Sequence, residues 1–185
     1  MSERVLALET ATTFLSLGWL EGSSTREHTL NAGRAHAEVA VPALEAFMRK
    51  ANATRAEVIA VGTGPGSYTG VRVGVSLALG LARGWGATVV GVPTLEAIAA
   101  GRDGLVAVTM DARKGNVYSA LYRVENGSIL ETLADVDKRP LEAFQALVPE
   151  DAVWLRDEAP SGAALARLGV ERQARGEHDL EISYL

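Results

Sequence analysis

Cysteine is absent from the 185 residues. That excludes disulfides, thiolate nucleophiles and zinc sites built on sulfur. Histidine is scarce: His28, His36 and His178 are the three present, and none stands near an acid or a second histidine at a metal-ligand spacing. His36 reads as a residue that caps or packs at the start of a helix. Apolar runs are short. None reaches the roughly 18 residues of a membrane span, and the stretch 71–81 carries Gly and Ser with Arg83 close behind. The opening MSERVLALET has no cleavable signal pattern. Basic residues are outnumbered, 18 against 23 acidic, for a formal charge of −5. Phosphate affinity comes mainly from Lys and Arg, so the chain is a poor solitary binder of nucleic acid. If RNA is involved, a partner supplies most of the basic surface. Together these absences predict a cytoplasmic protein with no membrane association.

What is present suits an α/β fold with a sizeable core, since 48% of residues are hydrophobic and 22% charged. Apolar and alternating runs predict strands at 5–8, 14–20 and 25–30, then a helix over 35–50 that Pro42 should kink or begin. A strand at 58–62 enters a Gly-rich turn, followed by a helix over 71–83, a strand at 88–92 and a short helix at 94–100. The pattern then restarts. Strands are expected at 105–110, 117–124 and 129–133, with Asn126-Gly127 as a hairpin signal. Helices at 141–147 and 162–168, a strand near 153–155, and a last strand or frayed tail at 181–185 complete the expectation. Each block of three strands opens on a strand that ends in an acid, Glu9 in one and Asp111 in the other. This predicts a duplicated two-lobe α/β architecture of the actin, hexokinase and Hsp70 type, with lobes at 1–102 and 103–185. A single mixed sheet without duplication is the competing arrangement.

The densest motif is the turn carrying Gly62, Gly64, Pro65, Gly66 and Gly70. A phosphate cradle would use backbone N–H groups here, but no Lys follows as a Walker loop requires. G-x-G-x-x-G fails as well, because Ser67 and Thr69 fall where the third glycine belongs. A tight turn that brings a helix close to something flat is the plain alternative. In the helix beyond, Gly70, Gly74, Ala78 and Ala82 recur at four-residue steps beside Val71 and Val75. A helix that is apolar or small all round is buried all round. One side can pack on its own sheet, and the other is expected to meet another chain. A fully internal core helix is the competing explanation. Gly66, Gly70, Val71, Gly74, Val75, Ala78 and Ala82 are therefore the expected partner or dimer contact.

Catalytic constellations are missing. Ser67 lies in Gly66-Ser67-Tyr68, not in G-x-S-x-G, and no triad is visible. Glu9 and Asp111 could hold Mg²⁺ across a cleft, with Thr10 and Thr12 as hydroxyl donors to a nucleotide. The turns after the two acids lack the glycine that lets a phosphate reach the backbone. A weak ATP-binding or ATPase relative of the actin-like fold is the alternative function.

Gly64-Pro65-Gly66-Ser67-Tyr68-Thr69-Gly70-Val71-Arg72-Val73-Gly74 resembles the signature GPGSFTGLRIG of the TsaB (YeaZ) family. Leu6-Ala7-Leu8-Glu9-Thr10 resembles that family's opening LAIDTS, with Glu for Asp. Arg34-Ala35-His36-Ala37-Glu38 resembles RxHSE, Pro93-Thr94-Leu95-Glu96-Ala97 resembles SSLEA, and the residues 110–118 resemble IDARxGEVY. Ser183-Tyr184-Leu185 echoes a YLR ending. The match covers residues 4–122, beyond which the chain is trimmed relative to the family. The resemblance implies an actin-like (ASKHA, RNase H-like) fold and a non-catalytic part in making threonylcarbamoyl-adenosine on tRNA. It implies a TsaD-type catalytic partner, a TsaE-type ATPase partner, a homodimer when alone, and tRNA met only through the complex. The HxxxH metal motif of the catalytic sibling would fall at 93–97, where no histidine stands. No metal or cofactor is expected in this chain, with ATP or ADP at most at a partner interface.

Overall fold

The computed structural model describes residues 3–178 and 180–183. The expected terminal motif falls partly on Tyr184 and Leu185, which lie outside the described residues; 181–183 carry no strand.

The first half forms a five-stranded sheet. Strands β1 (Arg4–Glu9), β2 (Phe14–Glu21) and β3 (Ser24–Asn31) make an antiparallel meander. After helix α1 (His36–Ala51) comes β4 (Val58–Gly62), parallel to β1. Helix α2 (Tyr68–Trp85) then leads to β5 (Thr88–Val92), parallel to β4. The order is β3-β2-β1-β4-β5. Helix α3 (Thr94–Ala99) leads to the second sheet. There β6 (Gly104–Asp111), β7 (Asn116–Glu125) and β8 (Ser128–Pro140) repeat the meander. Helix α4 (Leu141–Gln145) precedes β9 (Val153–Arg156), which lies parallel to β6. Its order, β8-β7-β6-β9, is the first sheet's order without a fifth strand. Helix α5 (Gly162–Ala174) follows β9 as α2 follows β4. The repeat is the signature of the actin-like, RNase H-like fold.

β4 and the middle of β1, residues 5–8, are apolar at every position because both faces of their sheet are covered. Leu6, Leu8, Ile59 and Val61 meet α1 and α2 on one face. Val5, Ala7, Val58 and Ala60 meet Ala164, Leu165 and Leu168 of α5 on the other. The helices are exchanged between halves: α5, encoded after the second sheet, packs on the first, while Leu95 and Ile98 of α3 pack on β6 and β7 of the second. The division at 102/103 thus separates sheets but not helices.

Three elements differ from expectation. Pro42 sits inside α1 and does not begin it. It is the seventh residue, so it removes the N–H that Glu38 would otherwise receive. α2 begins three residues early because Ser67 caps it, its Oγ accepting the Gly70 N–H at 3.1 Å. β8 runs to 13 residues, kept in register with a shorter partner by bulges.

Candidate functional site

The inner face of α2 is where the expected contact residues lie. A Cβ on Gly66 would overlap the Ala11 carbonyl, on Gly70 the Thr10 carbonyl, and on Gly74 the Thr10 hydroxyl. Thr10 Oγ1 donates to the Gly70 carbonyl at 2.6 Å, and the Ser67 N–H donates to Ala11 O at 2.7 Å. Val71, Val75, Ala78 and Ala82 join the core with Leu6, Leu8, Ile59 and Val61. The residues expected at a partner interface therefore seat α2 on its own chain. Small residues allow close approach, and here the close neighbour is the end of β1, sixty positions earlier in sequence.

The opposite face is open. Arg72, Ser76, Leu79, Gly80, Arg83 and Gly84 are exposed, Leu79 at 48%. A Cβ on Gly80 or Gly84 would meet nothing within 4 Å. Ser76, Gly80 and Gly84 form a second four-residue stripe, parallel to the inner one. The sequence analysis passed over it, although the spacing was equally readable. α1 packs beside α2 and leaves Val41 48% exposed. Tyr68, with the Arg72 guanidinium 3.9 Å over its ring, stands at the N-terminal end of this surface.

The acids thought to face a nucleotide divide. Glu9 is fully buried. Its carboxylate accepts the Ala11 N–H, lies 2.8 Å from Thr94 Oγ1, and rests on Gly62, where any Cβ would collide with it. Burial pushes its pKa up, against hydrogen bonds from Ala11, Thr94 and Thr10 that pull it down. Thr10 is buried too, its hydroxyl held by Gly70. Neither opens to a ligand, because glycines at 62, 70 and 74 let the surrounding elements close over them. Thr12 and Asp111 do reach a cleft between the two sheets, of about 610 Å³. Thr12 Oγ1 accepts the Phe14 N–H at 3.0 Å. Asp111 Oδ1 accepts the Arg113 N–H at 2.9 Å, while the Asp111 N–H donates to Asp157 at 2.8 Å. Arg113 and Lys114 take positive φ at that hairpin tip, 65° and 55°. Arg34, Arg113 and Lys138 line the cleft together with Asp111, Asp157 and Glu158, so its formal charges balance. The four expected nucleotide ligands do not converge.

Gly62 was expected only as part of the Gly-rich turn and Thr94 only as part of the segment 93–97; that both meet the Glu9 carboxylate had no signal in the sequence. His36 is buried, with Nε2 3.1 Å from the Phe14 carbonyl. Among the described residues no group of three or more His, Cys, Asp or Glu is placed to hold a metal, and no helix is long and apolar enough to cross a membrane.

Comparison with known proteins follows the same lines. A family model described as TsaD, tRNA N6-adenosine threonylcarbamoyltransferase, matches residues 28–153. The tRNA threonylcarbamoyladenosine biosynthesis protein TsaB of Bacillus subtilis (strain 168) is 31% identical over 213 aligned positions, covering 98% of this chain and 93% of that protein. Its counterpart from Escherichia coli (strain K12) is 36% identical over 132 positions, covering 67% of this chain and 57% of that protein. The solved structure of YeaZ from Pseudomonas aeruginosa superposes with a TM-score of 0.86 at 24% identity, covering 99% of this chain and 100% of that one.

Proposed function

Because the chain belongs to the TsaB (YeaZ) family, we propose that it takes part in tRNA threonylcarbamoyladenosine biosynthesis as a non-catalytic cytoplasmic subunit. It docks a TsaD-type catalytic partner through the outward face of α2. The TsaE-type ATPase and the tRNA meet it within that assembly, and any nucleotide is held there with a partner. Its two halves, 1–102 and 103–185, act as one rigid platform.

The observation that carries the docking role is the open face of α2. Arg72, Ser76, Leu79, Gly80 and Arg83 form a surface that mixes an exposed leucine, small residues and two cations. Gly80 and Gly84 let a partner helix approach at the roughly 8–10 Å typical of close helix pairs. The non-catalytic role is supported by Glu9 and Thr10, which are enclosed in the core rather than presented to the cleft.

Gly80→Arg tests the reading. The side chain enters solvent in the isolated chain and a helical glycine is removed, so the thermal midpoint should hold or rise. Binding to the TsaD-type partner, measured by calorimetry, should weaken at least tenfold, and any self-association seen by sedimentation should fall with it. Undiminished partner binding by a folded Gly80→Arg chain would remove α2 from the interface.

A further inference from the structure

Each sheet has two edges, and three of the four are blunted. β5 and β9 are short, at five and four residues. β8 is long, but irregularities break its ladder with β7. β3 differs from all three. Its eight residues pair with β2 in one unbroken register, and no proline interrupts them. It is the outermost strand of its sheet. Every second residue therefore turns its N–H and C=O outward, where no strand pairs with them among the described residues.

A helix runs along this edge, and between β3 and α1 lies a groove of about 520 Å³. The period of a strand turns Arg26, His28 and Leu30 to the groove side. α1 answers with Ala43, Ala46, Phe47 and Lys50, spaced by three and four residues along one helix face. The floor is apolar, since Leu30, Ala43 and Phe47 belong to the core beneath α1. The rim is basic. Arg26 donates to the Ala51 carbonyl and closes one end of the groove, so its charge meets no carboxylate. Lys50 is exposed and makes no ion pair among the described residues. Glu27 borders the groove as well, but its carboxylate is held on the α5 side of the sheet. There it accepts Ser161 Oγ at 2.8 Å and the Ala163 N–H at 3.0 Å. Glu45 stands two positions from both Ala43 and Phe47 and does not share their face.

We infer that this groove takes an extended, acidic segment of another protein, added as a further strand to β3. Backbone groups of the incoming segment pair with the outward N–H and C=O groups of β3. Its apolar side chains, at every second position, rest on Leu30, Ala43 and Phe47. Its carboxylates meet Arg26 and Lys50. Charge selects this occupant. A second copy of β3 would set Arg26 and His28 against their own kind, and like charges across a strand pair repel. The surface is separate from the outward face of α2, so the inference goes beyond the partner reading and does not rest on it.

NMR titration of the full chain decides it. The probes are a hexapeptide alternating glutamate and valine, blocked at both ends, and the same peptide with lysine in place of glutamate. The acidic peptide should saturate below about 1 mM, shift the amides of β3 and of residues 43–50, and slow exchange at the outward amides of β3. The lysine peptide should bind at least tenfold more weakly. Lys50→Glu should weaken the acidic peptide by about tenfold and improve the lysine one. Ala46→Glu, which adds bulk and negative charge to the groove wall, should act in the same direction. Both positions are exposed, so both variants should keep the wild-type spectrum away from the groove. Equal affinity for the two peptides, shifts confined to α2 or to the cleft between the sheets, or no saturation would overturn the inference. So would β3 amides that are protected in the concentrated chain alone and lose protection on dilution, since a second copy would then hold the edge.

Discussion

Glu9 and Asp111 end equivalent strands of two matching sheets, yet one is sealed and the other open. Around Glu9 the first half is drawn tight by Gly62, Gly66, Gly70 and Gly74, each too close to its neighbour to carry a side chain. Around Asp111 the second half ends in a hairpin tip, where Arg113 and Lys114 take left-handed backbone and Asp111 itself braces the turn. A 16-residue helix joins the third and fourth strands of the first sheet, and a five-residue helix joins those of the second. The same topology thus supports two environments. What decides between them is how closely the helix after the fourth strand can approach the end of the first.

The comparison breaks most sharply at the glycines. Gly70→Val places two methyl groups into the Thr10 carbonyl and should cost about 3 kcal/mol or prevent folding, read from denaturant midpoints. If the variant folds with an unchanged midpoint, the tight first half is not held by contact at α2. The acids come next. Glu9→Ala leaves a cavity and strands the Ala11 N–H, so a loss of about 2 kcal/mol is expected. Asp111→Ala removes one exposed hydrogen bond and should cost at most about 1 kcal/mol. Equal losses would erase the distinction between the two strand ends.

A pH series sharpens it further. The folded-state pKa of Glu9 is raised above its unfolded value. Its contribution to stability is then fully present below the unfolded pKa and is lost as pH rises through the folded one. Wild type should lose stability relative to Glu9→Gln across that window. A wild-type slope that Glu9→Gln leaves untouched would assign the effect elsewhere. The smallest effect belongs to the open face of α2. Gly80→Ala meets no neighbour and should raise stability by about 0.5–1 kcal/mol through helix propensity alone. A loss instead would show that Gly80 is already in contact with something.

Much of this was readable beforehand. Period-two and apolar runs located the nine strands found among the described residues, and the acid-ended strands exposed the duplication. Asn126-Gly127 marked its hairpin, and both residues take positive φ there. The direction in which α2 faces was not readable. Gly70, Gly74 and Ala78 announce a close neighbour without naming it, and that neighbour, Thr10, is sixty positions away. The fate of Glu9 was hidden for the same reason, since Thr94 lies 85 positions on. The length of β8 was missed because its second part, residues 134–140, is largely polar and exposed and carries no apolar run to mark a strand.

The exchange of helices between sheets has a consequence for how the chain comes into being. Gly18 of β2 lies against the Gly162 backbone, and Gly169 lies against Ala60, so strands made early are completed by a helix made late. Until about residue 174 has left the ribosome, one face of the first sheet, with Val5, Ala7, Val58 and Ala60, has nothing to rest on. Pairings this distant in sequence close slowly and leave apolar surface bare meanwhile. An emerging chain halted before α5 would therefore be a substrate for chaperones rather than a folded half-protein.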